Sequence, residues 1–259
     1  MNKIRPSLAF DPIQVSIFTE FSMAEILLIR HGQASFGSDN YDQLSELGYQ
    51  QGRLLGQHFL QKEHLFSGLY SGTLARQQQT AQAVIDVYRT AAVDVPALTV
   101  DAAWNEFDNH AQVEQLLPGL LQQHPELKSD AEAMLRDKKS FQKVLRAVFQ
   151  YWILEEPETE ELESWPQAKA RFKSALQTVM ANNHSGQSAA AFTSGGVIAA
   201  LSAIVMGMGA DKVYGLFEPV INASITRLIH SQHNISLSSF NEHQYLAALS
   251  KSDDIISYR

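Results

Sequence analysis

Residues 25–35 read E-I-L-L-I-R-H-G-Q-A-S, with four apolar side chains, Ile26, Leu27, Leu28 and Ile29, running straight into Arg30, His31 and Gly32. A short apolar run without polar alternation is the pattern of a strand buried on both faces of a parallel sheet. Gly32 lets backbone amides come close to whatever the two preceding side chains face. A guanidinium grips phosphate oxygens through a planar fork, while a neutral imidazole attacks phosphorus or passes a proton. The stretch therefore suits an anion, most naturally a phosphoryl group, held at the end of a buried strand. The alternative is a surface turn that happens to contain both residues.

The rest of the composition narrows the classes of function. The chain has 259 residues, enough for one large α/β domain or a domain with an insertion, and no cysteine. Without cysteine there are no disulfides, thiolate nucleophiles or thiolate-held metals, which fits a reducing cytoplasm. A formal charge of −8 disfavours a nucleic-acid partner. No apolar run is long enough to span a bilayer, so no membrane association is expected. Pro6, Asp11, Pro12 and Glu20 interrupt any secretory core, and residues 1–22 are read as a loosely attached extension ahead of the M-A-E-I-L-L-I-R-H-G that begins at Met23. The domain is expected to occupy residues 23–259, with a helical insertion over about 108–163.

Beyond the first turn, helices and strands alternate. Ser45 can cap a helix that puts Leu47, Leu54, Leu55 and Phe59 on one face, with Gly48, Gly52 and Gly56 allowing close packing. Leu65 to Tyr70 reads as a strand ending in Ser71-Gly72, and Arg76 falls in the first turn of the next helix. A cation there is electrostatically unfavourable, so a nearby anion would account for it. After a weak strand, Leu98 to Val100, Glu106 lies between Trp104 and Phe107, surroundings able to raise a carboxyl pKa toward that of a general acid. Asp101 and Asp108 are rivals for that role. Ala111 to Leu154 is helical in flavour, with breaks expected at Pro118-Gly119, Pro125 and Ser140. It reads either as a cap over a site or as a packing subdomain. The six glutamates of 155–163 read as a solvated linker.

Ser164 can cap a further helix, and Ala189 to Phe192 then forms a buried strand followed by Thr193-Ser194-Gly195-Gly196 and an apolar helix. Its amides are expected to point at the same sheet edge as His31. Ile221 to Ile229 alternates as a strand, with Ile235 to Phe240 as its antiparallel partner. The expected architecture is a three-layer α/β/α sandwich with a mostly parallel central sheet.

The words R30-H31-G32, Y-S-G-T-L-A-R-Q-Q-Q-T-A (residues 70–81), Leu44-Ser45-Glu46-Leu47-Gly48, Glu106 and T193-S194-G195-G196 together resemble the histidine phosphatase superfamily, phosphoglycerate mutase-like branch. That resemblance implies a phosphohistidine on His31, a phosphate clamp from Arg30 and Arg76, and Glu106 as proton donor. Two departures stand out. Ser194 occupies the place of the family's second histidine, and Gly37 that of an asparagine, a contact that Ser35, Ser38 or Asn40 could replace. Ser194 and Gly195 remain candidates for the phosphate. Ser194 keeps one neutral donor, and losing a pre-organised charged one costs on the order of a hundredfold in rate.

The expectation is thus a metal- and cofactor-independent phosphoric monoester hydrolase acting on a small phosphorylated metabolite, slowed by the change at Ser194. A homodimer is left open. The alternatives are a non-catalytic phosphoester-binding protein, a phosphomutase, or a serine hydrolase using Ser194 with His230 or His243. His110 or His184 could supply a substitute cation, although surface positions suit both better. His58, His64, His124 and His233 show no metal-ligand spacing.

Overall fold

A computed structural model describes residues 23–35, 42–157, 159, 161–232 and 234–258. The readings for residues 1–22 and for Gly37, Ser38, Asn40 and His233 lie outside the described residues. In chain order the elements are β1 (Ala24–Arg30), α1 (Glu46–Gln61), β2 (Gly68–Ser71), α2 (Ala75–Thr90), β3 (Leu98–Val100), α3 (Asn109–Gln123), α4 (Lys128–Ala133) and α5 (Lys138–Leu154). They continue with α6 (Trp165–Asn182), β4 (Ser188–Thr193), α7 (Gly195–Val205), α8 (Val213–Phe217), β5 (Ile225–His230), β6 (Ile235–Glu242) and α9 (Gln244–Ser250).

The sheet order is β3-β2-β4-β1-β5-β6. β3, β2, β4 and β1 run parallel, while β5 and β6 add an antiparallel edge. The apolar run of β1 divides by parity, as a pleated strand must. Ile26 and Leu28 enter the core shared with α3, α5, α6 and α7, while Leu27 and Ile29 enter the one shared with α1, α2 and α9. Both faces are thus covered, giving the three-layer sandwich expected. The insertion is part of the first of these cores: Leu116, Val144, Phe149 and Trp152 are buried in one cluster with Phe172 of α6 and Val197 of α7.

Register brings the loops together. Arg30 pairs with Thr193 and Ser71 with Phe192, so the parallel strands β1, β2 and β4 end level. Ligands bind at that edge in open α/β sheets.

Several local expectations need correction. Leu65 is exposed and β2 starts only at Gly68, its first partner in β4 being Ala189. Pro118 lies inside α3 on its exposed side, and Ser140 lies inside α5, its amide taken by the capping carboxylate of Asp137 at 2.7 Å. Breaks fall at Pro125 and at residues 134–137, between α4 and α5 and just before Ser140. Ile221 to Ser224 is not strand: Ala223 is left-handed at φ 59° and its amide bonds the carbonyls of Arg30 and His31. That segment bends to reach the nucleophile's backbone.

Candidate active site

His31 is 7% exposed and fixed through its main chain: its amide donates to Thr193 O at 2.9 Å, and its carbonyl accepts from Asn222 Nδ2 at 3.1 Å. Its Nε2 lies 3.2 Å from Arg76 Nε, and its Nδ1 lies 2.7 Å from the carbonyl of Gly32. An arginine only donates, so Nε2 is the acceptor and Nδ1 carries the proton. Burial, then the positive charges of Arg76 and Arg30, hold the imidazole well below its ordinary pKa of 6.5. The ring is therefore neutral at pH 7, with its lone pair turned toward a guanidinium.

Arg76 also pairs with Asp42 at 2.6 Å, and the other oxygen of Asp42 takes the amide of Ala75 at 2.7 Å. Asp42 is thus the anion that a cation in the first turn of α2 calls for. Arg30 is buried and donates to the carbonyl of Val220; a Cβ placed on Gly195 would lie 3.5 Å from Arg30 Nε. This guanidinium lies against the start of α7.

Glu106 Oε2 accepts from the amide of Gly196 at 3.1 Å, and Oε1 is buried. Burial raises its pKa above the ordinary 4.5, opposed by the Gly196 amide and by Arg76 and Arg30. The rivals have structural duties: Asp101 takes the amide of Ala103, and Asp108 caps α3 through the amides of His110 and Ala111. The loop carrying Glu106 is tied down by Arg171, whose guanidinium donates to the carbonyls of Ala103 and Asn105 at 3.1 and 2.9 Å. The same guanidinium forks onto Glu163 at 2.7 and 2.6 Å, so this glutamate is a clamp rather than part of a solvated linker.

Ser194 has no exposed surface, and its hydroxyl accepts from Gln77 Nε2 at 2.8 Å. The serine-hydrolase alternative fails here, because His230 is engaged with Asn183 and His243 with the carbonyl of Asn241. Gly195 opens α7, and Ser35 is half-buried beside the Ala34–Leu44 bridge, its amide donating to Gln43 O at 2.7 Å. His110 and His184 are exposed, and His110 faces Glu114. The structure thus gathers Arg30, His31, Arg76 and Glu106 at one sheet edge. Asp42, Gln77, Asn222 and Arg171 had no distinguishing mark in the sequence, apart from the position of Gln77 directly after Arg76.

A family model described as the histidine phosphatase superfamily (branch 1) matches residues 26–243. The chain belongs to this superfamily. It is an enzyme of the histidine phosphatase type. Among solved structures, a phosphoglycerate mutase from Bacillus anthracis is 19% identical with a TM-score of 0.59, covering 89% of this chain and 98% of its own. A mycobacterial glucosyl-3-phosphoglycerate phosphatase is 19% identical with a TM-score of 0.55, covering 85% and 99%. A phosphoserine phosphatase mutant from Entamoeba histolytica is 17% identical with a TM-score of 0.56, covering 86% and 98%. These likenesses share the fold. No curated protein matches at the sequence level.

Proposed function

We propose that this histidine phosphatase family member is a phosphoric monoester hydrolase acting on a small phosphorylated metabolite. The observation that carries the reading is the neutral imidazole of His31, its Nε2 lone pair 3.2 Å from Arg76 Nε. A phosphate entering between them exchanges its oxygens for that contact and for Asp42 on the guanidinium. Arg30 and Arg76 then hold the non-bridging oxygens. Nε2 attacks phosphorus in line, the ester P–O bond breaks, and the leaving oxygen takes the proton of Glu106. Water next attacks the phosphohistidine and gives its proton to the Glu106 carboxylate, releasing phosphate and the neutral ring. This chemistry uses no metal or organic cofactor. Ser194, enclosed and bonded to Gln77, offers no charge in place of a second imidazole, so turnover is slow by about a hundredfold relative to a site with that donor.

Rapid acid and alkali quenching during turnover of p-nitrophenyl phosphate tests the reading. An acid-labile, alkali-stable phosphoenzyme that His31→Ala abolishes is the expected result. Phosphate binding without any phosphoenzyme would instead establish a binding protein.

A further inference from the structure

The loop that carries Glu106 hangs between two supports. From the sheet edge, Trp104 O accepts from Thr193 Oγ1 at 2.6 Å and from Gln77 Nε2 at 3.2 Å, while the side-chain amide of Asn105 clasps Thr73, in the turn before Arg76, through two contacts of 2.7 Å. The second support is α6. Arg171 Nη1 donates to Ala103 O at 3.1 Å, within the 3-10 turn Ala102–Trp104, and to Asn105 O at 2.9 Å just after it. Asn105 O belongs to the peptide unit that joins Asn105 to Glu106, and a peptide unit is planar. Holding that oxygen fixes the plane from which the Glu106 side chain sets out.

The residue after the acid is held by the same structure. The ring of Phe107 packs on Trp152 of α5 with centroids 5.0 Å apart, and Trp152 Nε1 donates to Glu163 O at 2.9 Å. Glu163 closes the circuit, its carboxylate taking Nε and Nη2 of Arg171. With those two nitrogens committed to a fork, the planar guanidinium presents Nη1 in a fixed direction, toward the loop. Asn105 and Phe107, the neighbours of Glu106 on either side, thus hang on one ring of contacts that passes through the exit of the insertion. With side chains 23% and 32% exposed, the Arg171–Glu163 pair adds little stability of its own. What it supplies is geometry.

We infer that Arg171, aimed by Glu163, is a positioning residue for the general acid, acting through the Asn105–Glu106 peptide and not by contact with the substrate. This rests on the phosphohydrolase reading above, with Glu106 as its acid.

The test compares kcat/KM for phenyl phosphate and p-nitrophenyl phosphate. The nitrophenolate departs without a proton, whereas the more basic phenolate draws on the acid, so the ratio of the two reports how well Glu106 is aimed while the shape of the substrate hardly changes. Because kcat/KM covers only the steps up to release of the phenol, hydrolysis of the phosphohistidine does not enter. Arg171→Met, which keeps an apolar stem, is expected to lower kcat/KM for phenyl phosphate about tenfold more than for p-nitrophenyl phosphate, the scale of loss for a catalytic group moved slightly out of place. Glu163→Gln, which takes away the anion that aims Arg171, is expected to shift the ratio in the same direction and serves if the first variant folds poorly. Both esters falling by the same factor, or neither falling, would overturn the positioning role. Glu106→Gln distinguishes that result from failure of the reading beneath it, since a true acid loses phenyl phosphate preferentially when replaced. If Glu106→Gln loses both esters equally, Glu106 is not the acid and the role of Arg171 falls with it. No turnover of either ester by the wild-type protein would remove both.

Discussion

His31 and Glu106 are pushed in opposite directions by the same condition. Burial penalises the charged form of each, lowering the imidazole's pKa and raising the carboxyl's. The productive state needs His31 without its proton and Glu106 with one. His31 stays neutral well below pH 6.5, so its protonation limits activity only on the acid side. Glu106 keeps its proton above pH 4.5 and loses it as pH rises, so it sets the alkaline limb. For an alkyl phosphate, which needs the leaving oxygen protonated, kcat/KM corrected for substrate ionisation is expected to fall on the alkaline side as Glu106 loses its proton. Glu106→Gln should remove the alkaline limb along with most of the rate. A profile with no alkaline fall, or one whose fall Glu106→Gln leaves in place, would refute the assignment. The carboxyl's surroundings were legible because Trp104 and Phe107 flank it in the chain. Asp42 and Gln77 were not legible, because each meets its partner across a distance in sequence, Asp42 to Arg76 and Gln77 to Ser194.

Between elements, the nucleophile's turn is pressed against α1. A Cβ on Gly48 would lie 2.2 Å from Gln33 O, and one on Gly32 would lie 2.5 Å from Gly48 O. Replacing a glycine inside a helix by alanine ordinarily gains about 0.5–1 kcal/mol. At Gly48 the obstacle is backbone that cannot rotate aside, and such overpacking costs about 1–3 kcal/mol. The clash wins, so Gly48→Ala is expected to lower the urea midpoint and to depress kcat by shifting the residues after His31. Unchanged stability would mean that α1 and this turn are free to separate. Close packing by Gly48, Gly52 and Gly56 was readable from their four-residue spacing. So were the caps: Ser45 takes the amide of Gly48 and Ser164 forms a capping box with Gln167. What local pattern could not show was that Pro118 would be tolerated on an exposed helical face. That outcome depends on α3 and α5 packing against each other, which outweighs a local breaker.

Across the whole molecule, alternation of helix and strand announced the sandwich. The sheet order and the route of the C-terminus depend instead on pairings that no local window contains. The chain's last segment returns to the nucleophile through two buried amides. Gln51 Nε2, from α1, donates to Ile255 O at 2.8 Å and to Ser257 Oγ at 2.9 Å, while its Oε1 takes the amide of Gln33 at 2.8 Å. Asn222 takes the Ser257 hydroxyl at 3.1 Å and donates to the carbonyl of His31 at 3.1 Å. Residues more than 200 positions apart thereby hold one loop. Gln51→Leu keeps the bulk but strands the Gln33 amide and the Ile255 carbonyl, each costing about 1–3 kcal/mol where water cannot reach. That variant is expected to lose stability in urea and to lose kcat more than KM, because the loop it frees aims the imidazole rather than gripping the phosphate. Equal losses in kcat and in phosphate affinity would instead show that the C-terminal segment shapes the anion site itself.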